Sequence, residues 1–170
     1  MRNLPLKPLI LYTTILFMRQ VIFLALLLIF MMACNKDKLE TKPSIKIKSV
    51  SSNFIPSGGN LSVSMEFADK EGDISNSLFV QKIRTNIRVV PTIRDTFSLP
   101  VPEFTKNSRG NIEVVMTYQN HLLSAITPPS VGGNPPRVED DTLTIRFALR
   151  DLAGNVSDTV TAGTIIVSRN

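Results

Sequence analysis

The stretch "TLTIRFALRDLAGNVSDTVTAGTIIV", residues 142–167, decides the fold class. Residues 142–150 alternate between polar and apolar side chains, and residues 159–167 are rich in Val, Ile and Thr. Alternation with a period of two is the pattern of a strand with one buried face, and β-branched residues favour strands. The intervening "DLAGN" (151–155) contains Asp, Gly and Asn, which are typical of turns. We therefore predict two strands joined by a turn.

The same alternation recurs from Pro43 onwards and predicts about seven short strands. The predicted strands cover 44–50, 61–67, 77–84, 111–118, 142–150 and 159–167, with one or two weaker strands in 87–99, where Pro91 interrupts the pattern. The predicted inward side chains are Ile45, Ile47, Leu61, Val63, Met65, Phe67, Ile112, Val114, Met116, Tyr118, Leu143, Ile145, Phe147 and Leu149. Short strands that each have one polar face, joined by Gly/Asn/Asp turns, indicate an all-β protein with one antiparallel β-sandwich.

Residues 147–167 resemble the last hairpin of bacterial immunoglobulin-like and PKD-like domains. The matching residues are Asp151, Gly154, Asn155 and Ser157, and the resemblance covers about 20 of the 170 residues. It implies that residues 44–170 form a single immunoglobulin-like β-sandwich. It implies no activity, because one fold hosts many functions.

The N-terminal part of the chain has the pattern of a secretory signal. Residues 21–33 carry no polar side chain, and Arg19 precedes them. This run is shorter than the ~20 residues needed to cross a bilayer, but it suits the apolar core of a signal peptide. Met18 is an alternative start of translation. The other interpretation is one retained helix over residues 9–33, which would carry Arg19 near its centre at a cost of about 2.5–3.5 kcal/mol.

The sequence "MMAC" (31–34) at the end of this run resembles the lipobox of bacterial lipoproteins. Ala33 and Cys34 match the pattern, Met31 replaces the usual Leu, and Met32 is larger than the usual residue. The resemblance implies a signal peptide over 1–33, diacylglycerol attached to Cys34, and a lipidated cysteine and tether over 34–43. It implies a lipid-anchored protein of the bacterial cell envelope, by default in the outer membrane. The alternative is that Cys34 is a free or buried thiol.

The charge balance argues against nucleic-acid binding. Removal of residues 1–33 would leave 16 of the 19 basic residues against 14 acidic ones, a net charge of +2. No basic block stands out, whereas nucleic-acid binding normally requires a clustered basic face. The 136 residues after Cys34 suffice for one domain with its own core.

Catalytic motifs are also scarce. His121 is the one histidine, so a multi-histidine metal site is excluded and a Ser-His-Asp triad would have to use it. The sequence has no G-x-S-x-G elbow and no Gly-rich phosphate loop. We expect His121 to be a surface loop residue and the protein not to be an enzyme.

The turn "DKEGD" (69–73) is the one acidic cluster with the spacing of a cation site. In an immunoglobulin-type sandwich the B–C and F–G loops lie at the same end, so this turn should meet the turn 151–155. Hard cations such as Ca²⁺ bind several oxygen ligands. The candidate ligands of a weak Ca²⁺ site are Asp69, Glu71, Asp73, Asp151 and Asn155. The alternative is an ordinary solvated turn and no cofactor.

The connection "NHLLSAITPPSVGGNPPRVED" (120–140) is the candidate binding loop. It is longer than the roughly 12–15 residues beyond which loops are usually functional or disordered. Its candidate contact residues are Leu122, Leu123, Pro128, Pro129, Pro135 and Pro136. As the E–F connection it would lie at the end opposite the lipid tether. The alternative is that the two leucines plug the end of the core or that residues 120–126 extend a strand.

Two functions are consistent with these features. The first is a non-enzymatic binding or adhesion module that is anchored to the membrane through Cys34 and contacts an envelope protein or a glycan. The second is a structural accessory subunit of a larger envelope assembly. The size of the exposed apolar surface would distinguish them, because a subunit of an assembly should carry a large apolar patch.

Overall fold

A computed structural model describes residues 16–24, 40–86, 88, 94–103 and 105–169. The chain divides into two compact units, Met1–Lys38 and Leu39–Asn170. In the first unit, residues 16–24 form a helix with exposed side chains. Among the described residues, no helix is long and apolar enough to cross a membrane. The predicted lipidation site Cys34 lies outside the described residues, as do residues 1–15 and 25–33 of the predicted signal peptide and residues 35–39 of the predicted tether.

The regular structure described in the second unit is almost all strand, which confirms the all-β prediction. Its strands are β1 Ser44–Val50, β2 Phe54–Ile55, β3 Asn60–Ala68, β4 Ser77–Arg84, β5 Arg94–Pro100, β6 Arg109–Thr117, β7 Ser130–Gly132, β8 Arg137–Val138, β9 Asp141–Arg150 and β10 Val160–Val167, and one π-helical turn spans Tyr118–Leu122. Each long strand begins and ends within two residues of its predicted bounds. In the predicted weak region, the described residues hold one strand, β5.

The strands form two main sheets and a small hairpin. One sheet has the order β1-β3-β6, the second has the order β2-β10-β9-β4-β5, and β7 pairs with β8. Every pair is antiparallel except β2 with β10, which is parallel. The purely antiparallel prediction is therefore wrong at this edge. The two-residue strand β2 is too short to give a sequence pattern, and it joins the second sheet directly after β1 ends in the first.

Buried side chains from both sheets form one hydrophobic cluster, as the alternation predicted. In β3 the inward residues Leu61, Val63, Met65 and Phe67 are at most 2% exposed, and the Ser and Glu side chains between them are half-buried. The other predicted inward side chains are also buried, except that Ile47 is half-buried against the cluster. The burial pattern therefore follows the two-residue period along each central strand.

The pairing defines two ends of this unit. At the first, the tether end, the last residue of β3, Ala68, pairs with Ser44 at the start of β1. The backbone N–H of Lys70 also donates to the carbonyl of Glu40 here, at 3.3 Å. At the opposite end, the far end, the first residue of β3 pairs with Thr117, and the chain then runs through the π-helical turn into the connection 120–140. Since β3 has nine residues, the two ends are separated by about 27 Å.

Candidate functional sites

At the far end, β4 carries two cations on its inward face. Leu78 and Val80 face the core, so the two-residue period also turns Lys82 and Arg84 inward. Lys82 is 6% exposed and Arg84 is 2% exposed. Buried charges are costly unless they are paired and hydrogen-bonded, so the partners of these two side chains matter for the whole end of the domain.

Lys82 binds the π-helical turn that begins the connection. Its Nζ donates to the carbonyl oxygens of His121 (2.9 Å) and Leu123 (2.8 Å). It also lies 3.5 Å from Oδ2 of Asp95 on the edge strand β5. Burial lowers the pKa of Lys82, and Asp95 partly offsets that effect. The ammonium group therefore ties β5 and the connection to the centre of the second sheet.

Arg84 lies beside a buried carboxylate that two arginines share. Its Nη1 donates to the carbonyl of Ile126 at 2.5 Å and lies 3.8 Å from Oδ1 of Asp141. Asp141 is fully buried, and its Oδ2 accepts hydrogen bonds from Arg169 Nε (2.8 Å) and from the backbone N–H of Ser124 (3.1 Å). We call Lys82, Arg84, Asp141 and Arg169 the far-end ion cluster.

The far-end ion cluster fixes the first part of the connection. The lysine and arginine side chains of this cluster act only as hydrogen-bond donors. They donate to the backbone carbonyls of four residues within 121–126: His121, Leu123, Ser124 and Ile126. A loop whose carbonyls bind buried cations has few alternative shapes, because each broken bond would leave a buried charge without its partner.

Most of the rest of the connection is exposed. Residues 129–137 are all exposed, and within them β7 forms the small antiparallel hairpin with β8. Pro129, Pro135 and Pro136 lie in this exposed part. The apolar side chains of Ile126 and Val131 are 51% and 42% exposed. At the far end, therefore, residues 121–126 are held by buried cations, and residues 129–137 are exposed.

Two of the predicted contact residues are not on the surface, and a third is only partly exposed. Leu122 is 0% exposed and belongs to the core, Leu123 is half-buried against it, and Pro128 is buried. The prediction that Leu122 and Pro128 contact a partner is wrong, and the alternative that the leucines plug the end of the core describes Leu122. The contact predicted for Leu123 stays a prediction, because this side chain keeps an exposed part. The physical reason is the π-helical turn, which directs Leu122 back into the core, while the hydroxyl of Tyr118 donates to the carbonyl of Ser168 at 2.6 Å.

A groove of about 510 Å³ lies between β5 and the π-helical turn. Lys82, Asp95, Phe97, His121 and Leu123 are among its lining residues. The ring centroids of Phe97 and His121 are 5.6 Å apart. His121 Nδ1 accepts the backbone N–H of Thr117 at 3.0 Å, so in the neutral ring the proton is on Nε2. The expected surface histidine is therefore half-buried and forms one wall of the groove.

At the tether end, three carboxylates converge from two turns. One oxygen each of Asp69, Asp73 and Asp151 lies within 4.8 Å of the others. Asp69 is 0% and Asp151 is 1% exposed. Burial raises the pKa of Asp69, and the adjacent Asp73 carboxyl adds to the rise, although hydrogen bonds from the Asp73 and Gly72 backbone oppose it. We call these three residues the tether-end acid cluster.

Two predicted cation ligands have other roles. Glu71 is exposed, and its Oε1 lies 4.0 Å from Lys70 Nζ rather than in the cluster. Asn155 donates to both oxygens of Asp151, through its backbone N–H at 2.7 Å and its side-chain Nδ2 at 2.8 Å. Asn155 therefore orients the Asp151 carboxylate through these two hydrogen bonds. Gly72 lies between Glu71 and Asp73 and has a φ of 66°. This left-handed conformation changes the direction of the chain and separates Glu71 from Asp73.

The far-end ion cluster was not predicted from the sequence. A signal for half of it was present, because Leu78 and Val80 fix the inward phase of β4 and the same phase reaches Lys82 and Arg84. Asp141 and Arg169 gave no comparable signal, since their contacts depend on how the chain ends meet in space.

The chain resembles few known proteins. No protein-family model matches it, and no curated protein sequence does. Among solved structures, the sporulation control protein Spo0M from Bacillus subtilis aligns with 76% of this chain and 50% of its own, at 12% identity and a TM-score of 0.38. A β-glucosidase from Listeria innocua in complex with glucose aligns with 78% of this chain and 16% of its own, at 12% identity and a TM-score of 0.35. The chain thus spans half or less of these proteins, and likenesses this weak support no argument about fold or function.

Proposed function

We propose that the protein is a lipid-anchored, non-enzymatic binding module of the bacterial cell envelope, which contacts an envelope protein or a glycan through its far end. One observation carries the proposal: an exposed connection stands on a buried ion cluster beside an open groove. A binding surface held in one shape before contact loses less conformational entropy when it binds. Burying cations costs free energy. Their use to fix the connection therefore favours a connection that contacts a partner.

The strand order supports an immunoglobulin-like sandwich as the scaffold. In that fold one sheet contains strands A, B and E, and the other contains C, F and G. Here β1, β3 and β6 lie in one sheet and β4, β9 and β10 in the other, with β5 beside β4 as a C′ strand. The acidic turns then correspond to the B–C and F–G loops and the connection 120–140 to the E–F loop.

The proposed lipid anchor rests on the lipobox resemblance around Cys34. Residues 40–43 lead into β1 at the tether end, and Lys42 Nζ lies 2.6 Å from Oδ1 of Asp158 there. A lipid attached upstream of this point would leave the connection on the opposite end, about 27 Å along β3. The binding end would therefore face away from the membrane.

Metabolic labelling tests the anchor independently of binding. Cells that produce the full chain or its Cys34→Ser variant are grown with a palmitate analogue. We expect label on the wild type and none on the variant. Equal labelling of both would remove the lipid anchor from the proposal.

A loop replacement tests the binding end. Residues 129–136 are replaced with a Gly/Ser linker of equal length, which spares the buried Pro128 and the carbonyls bound by the far-end ion cluster. We expect loss of partner co-purification from detergent-solubilised membranes and an unchanged unfolding midpoint. Co-purification that survives the replacement, with or without a loss of stability, would contradict the proposed contact surface.

A further inference from the structure

The tether-end acid cluster concentrates negative charge without a balancing cation from the chain. Its three carboxylates lie within 4.8 Å of one another, and two of the side chains are almost completely buried. In the described part of the chain, no lysine or arginine forms a salt bridge with Asp69, Asp73 or Asp151. Buried charges are normally paired or coordinate a metal ion.

Two buried oxygens in the cluster provide a second, independent observation. Oδ1 of Asp69 and Oδ1 of Asp73 are inaccessible to solvent and have no hydrogen-bond donor among the described residues. The Asp69 side chain is itself fully buried, and its other oxygen, Oδ2, accepts the backbone N–H of Asp73 at 3.2 Å. Buried acceptors without a donor are rare in folded proteins. With the carboxylates ionised, these two atoms therefore have no partner among the described residues.

Hydrogen bonds between the two turns hold the carboxylates together. The backbone N–H of Leu152 donates to the carbonyl of Asp73 at 2.9 Å, and Asn76 Nδ2 donates to the carbonyl of Asp151 at 2.9 Å. A Cβ at Gly72 would come within 2.8 Å of the backbone nitrogen of Asn107, so the turn packs closely against its neighbour. The cluster is thus a built feature rather than a chance approach of mobile side chains.

The donor set determines the class of ion. The cluster offers carboxylate oxygens and contains no histidine nitrogen or cysteine sulfur. Such oxygens suit hard divalent cations, and Ca²⁺ accepts the larger and less regular ligand sets, completed by water or carbonyl oxygens. We propose that Asp69, Asp73 and Asp151 bind one Ca²⁺ ion that links the two turns at the tether end. The ion would offset two of the three negative charges and satisfy both unpartnered oxygens.

Thermal unfolding of the full chain in detergent tests this site. Wild type and variants are treated with a chelator and then scanned in about 10 mM Ca²⁺, with Mg²⁺ in parallel, because extracellular modules bind Ca²⁺ with dissociation constants of about 0.1–1 mM. We expect Ca²⁺ to raise the wild-type midpoint by about 4–10 °C by mass action. Asp69→Asn and Asp73→Asn should abolish the rise. Glu71→Gln, in the same turn but outside the cluster, should retain it.

Two results would overturn the proposal: no rise in the wild type, or an equal rise in Asp69→Asn. Should the variants fail to fold, equilibrium dialysis of the wild type against Ca²⁺ decides the question, since one bound ion per chain supports the site and none refutes it. Neither readout involves a partner or the lipid, so the site and the proposed function can fail separately.

Discussion

Asp141→Asn removes the carboxylate that Arg84 and Arg169 share while it keeps the volume of the side chain. Asp141 is fully buried, and the side chains of the two arginines are 1% and 10% exposed. After the substitution, both guanidinium groups stay charged, because arginine is not deprotonated in proteins. The variant therefore leaves two buried cations without a counter-charge at the base of the connection.

The expected cost follows from this geometry. At 3.8 Å and an effective dielectric constant of ~20, the gross attraction between Arg84 and Asp141 is about 4 kcal/mol. Breaking a buried pair from one side costs about 3–5 kcal/mol in measured cases. An asparagine oxygen can still accept one hydrogen bond from Arg169 or Ser124, so we expect a loss near the lower value, about 3 kcal/mol. That is a large part of the 5–15 kcal/mol typical of a folded domain.

Urea unfolding at neutral pH measures this loss, and Asp158→Asn is the matched control. Asp158 forms a shorter pair with Lys42, at 2.6 Å, but its side chain is 94% exposed. Exposed pairs contribute little, so the control should unfold like the wild type. Adding Arg84→Met to Asp141→Asn should recover part of the loss, because it removes one uncompensated cation. If Asp141→Asn unfolds at the same urea concentration as Asp158→Asn, the far-end ion cluster does not hold the connection.

Two further predictions concern the same end. Leu122→Ala should lower the free energy of unfolding by about 2–5 kcal/mol, because Leu122 is 0% exposed; an effect as small as that of Val131→Ala, at a position 42% exposed, would contradict its place in the core. Lys82 has a pKa lowered from 10.5, so the folded state releases its proton before the unfolded state does. As pH rises through the lowered pKa towards 10.5, the wild type should gain stability relative to Lys82→Met, and urea unfolding across this range that gives a constant difference would refute the shift.

The sequence predicts most of the fold because burial follows a two-residue period wherever a strand is long. β3 is the clearest case, since four inward residues in nine positions fix both the strand and its buried face. β2 and the β7–β8 hairpin have two or three residues per strand, which is too few for a period to be visible. Their pairing depends on where the chain crosses between sheets, and local sequence does not encode that crossing.

The two candidate sites differ in how much of each could be predicted from the sequence. The meeting of Asp69 and Asp73 with Asp151 follows from topology, because loops at one end of a sandwich come together. Which side chains supply oxygens depends on the turn at Gly72 and on the hydrogen bonds of Asn155. Of the five predicted ligands, Glu71 lies outside the cluster, and Asn155 donates to Asp151. Lys82 contacts carbonyls some 40 residues away along the chain. Residue types do not indicate such a contact, because every residue carries a main-chain carbonyl.

The central claim is that the far end, and not a sheet face, meets the partner. Site-specific photo-crosslinking in cells that produce the full chain tests it directly, with the reactive residue at Val131 or at Val115. Both positions are exposed valines, at 42% and 53%, but Val131 lies on the far-end hairpin and Val115 on the outer face of β6. We predict a discrete adduct from position 131 and none from position 115. An adduct from position 115 alone, or equal adducts from both, would contradict the proposed binding surface.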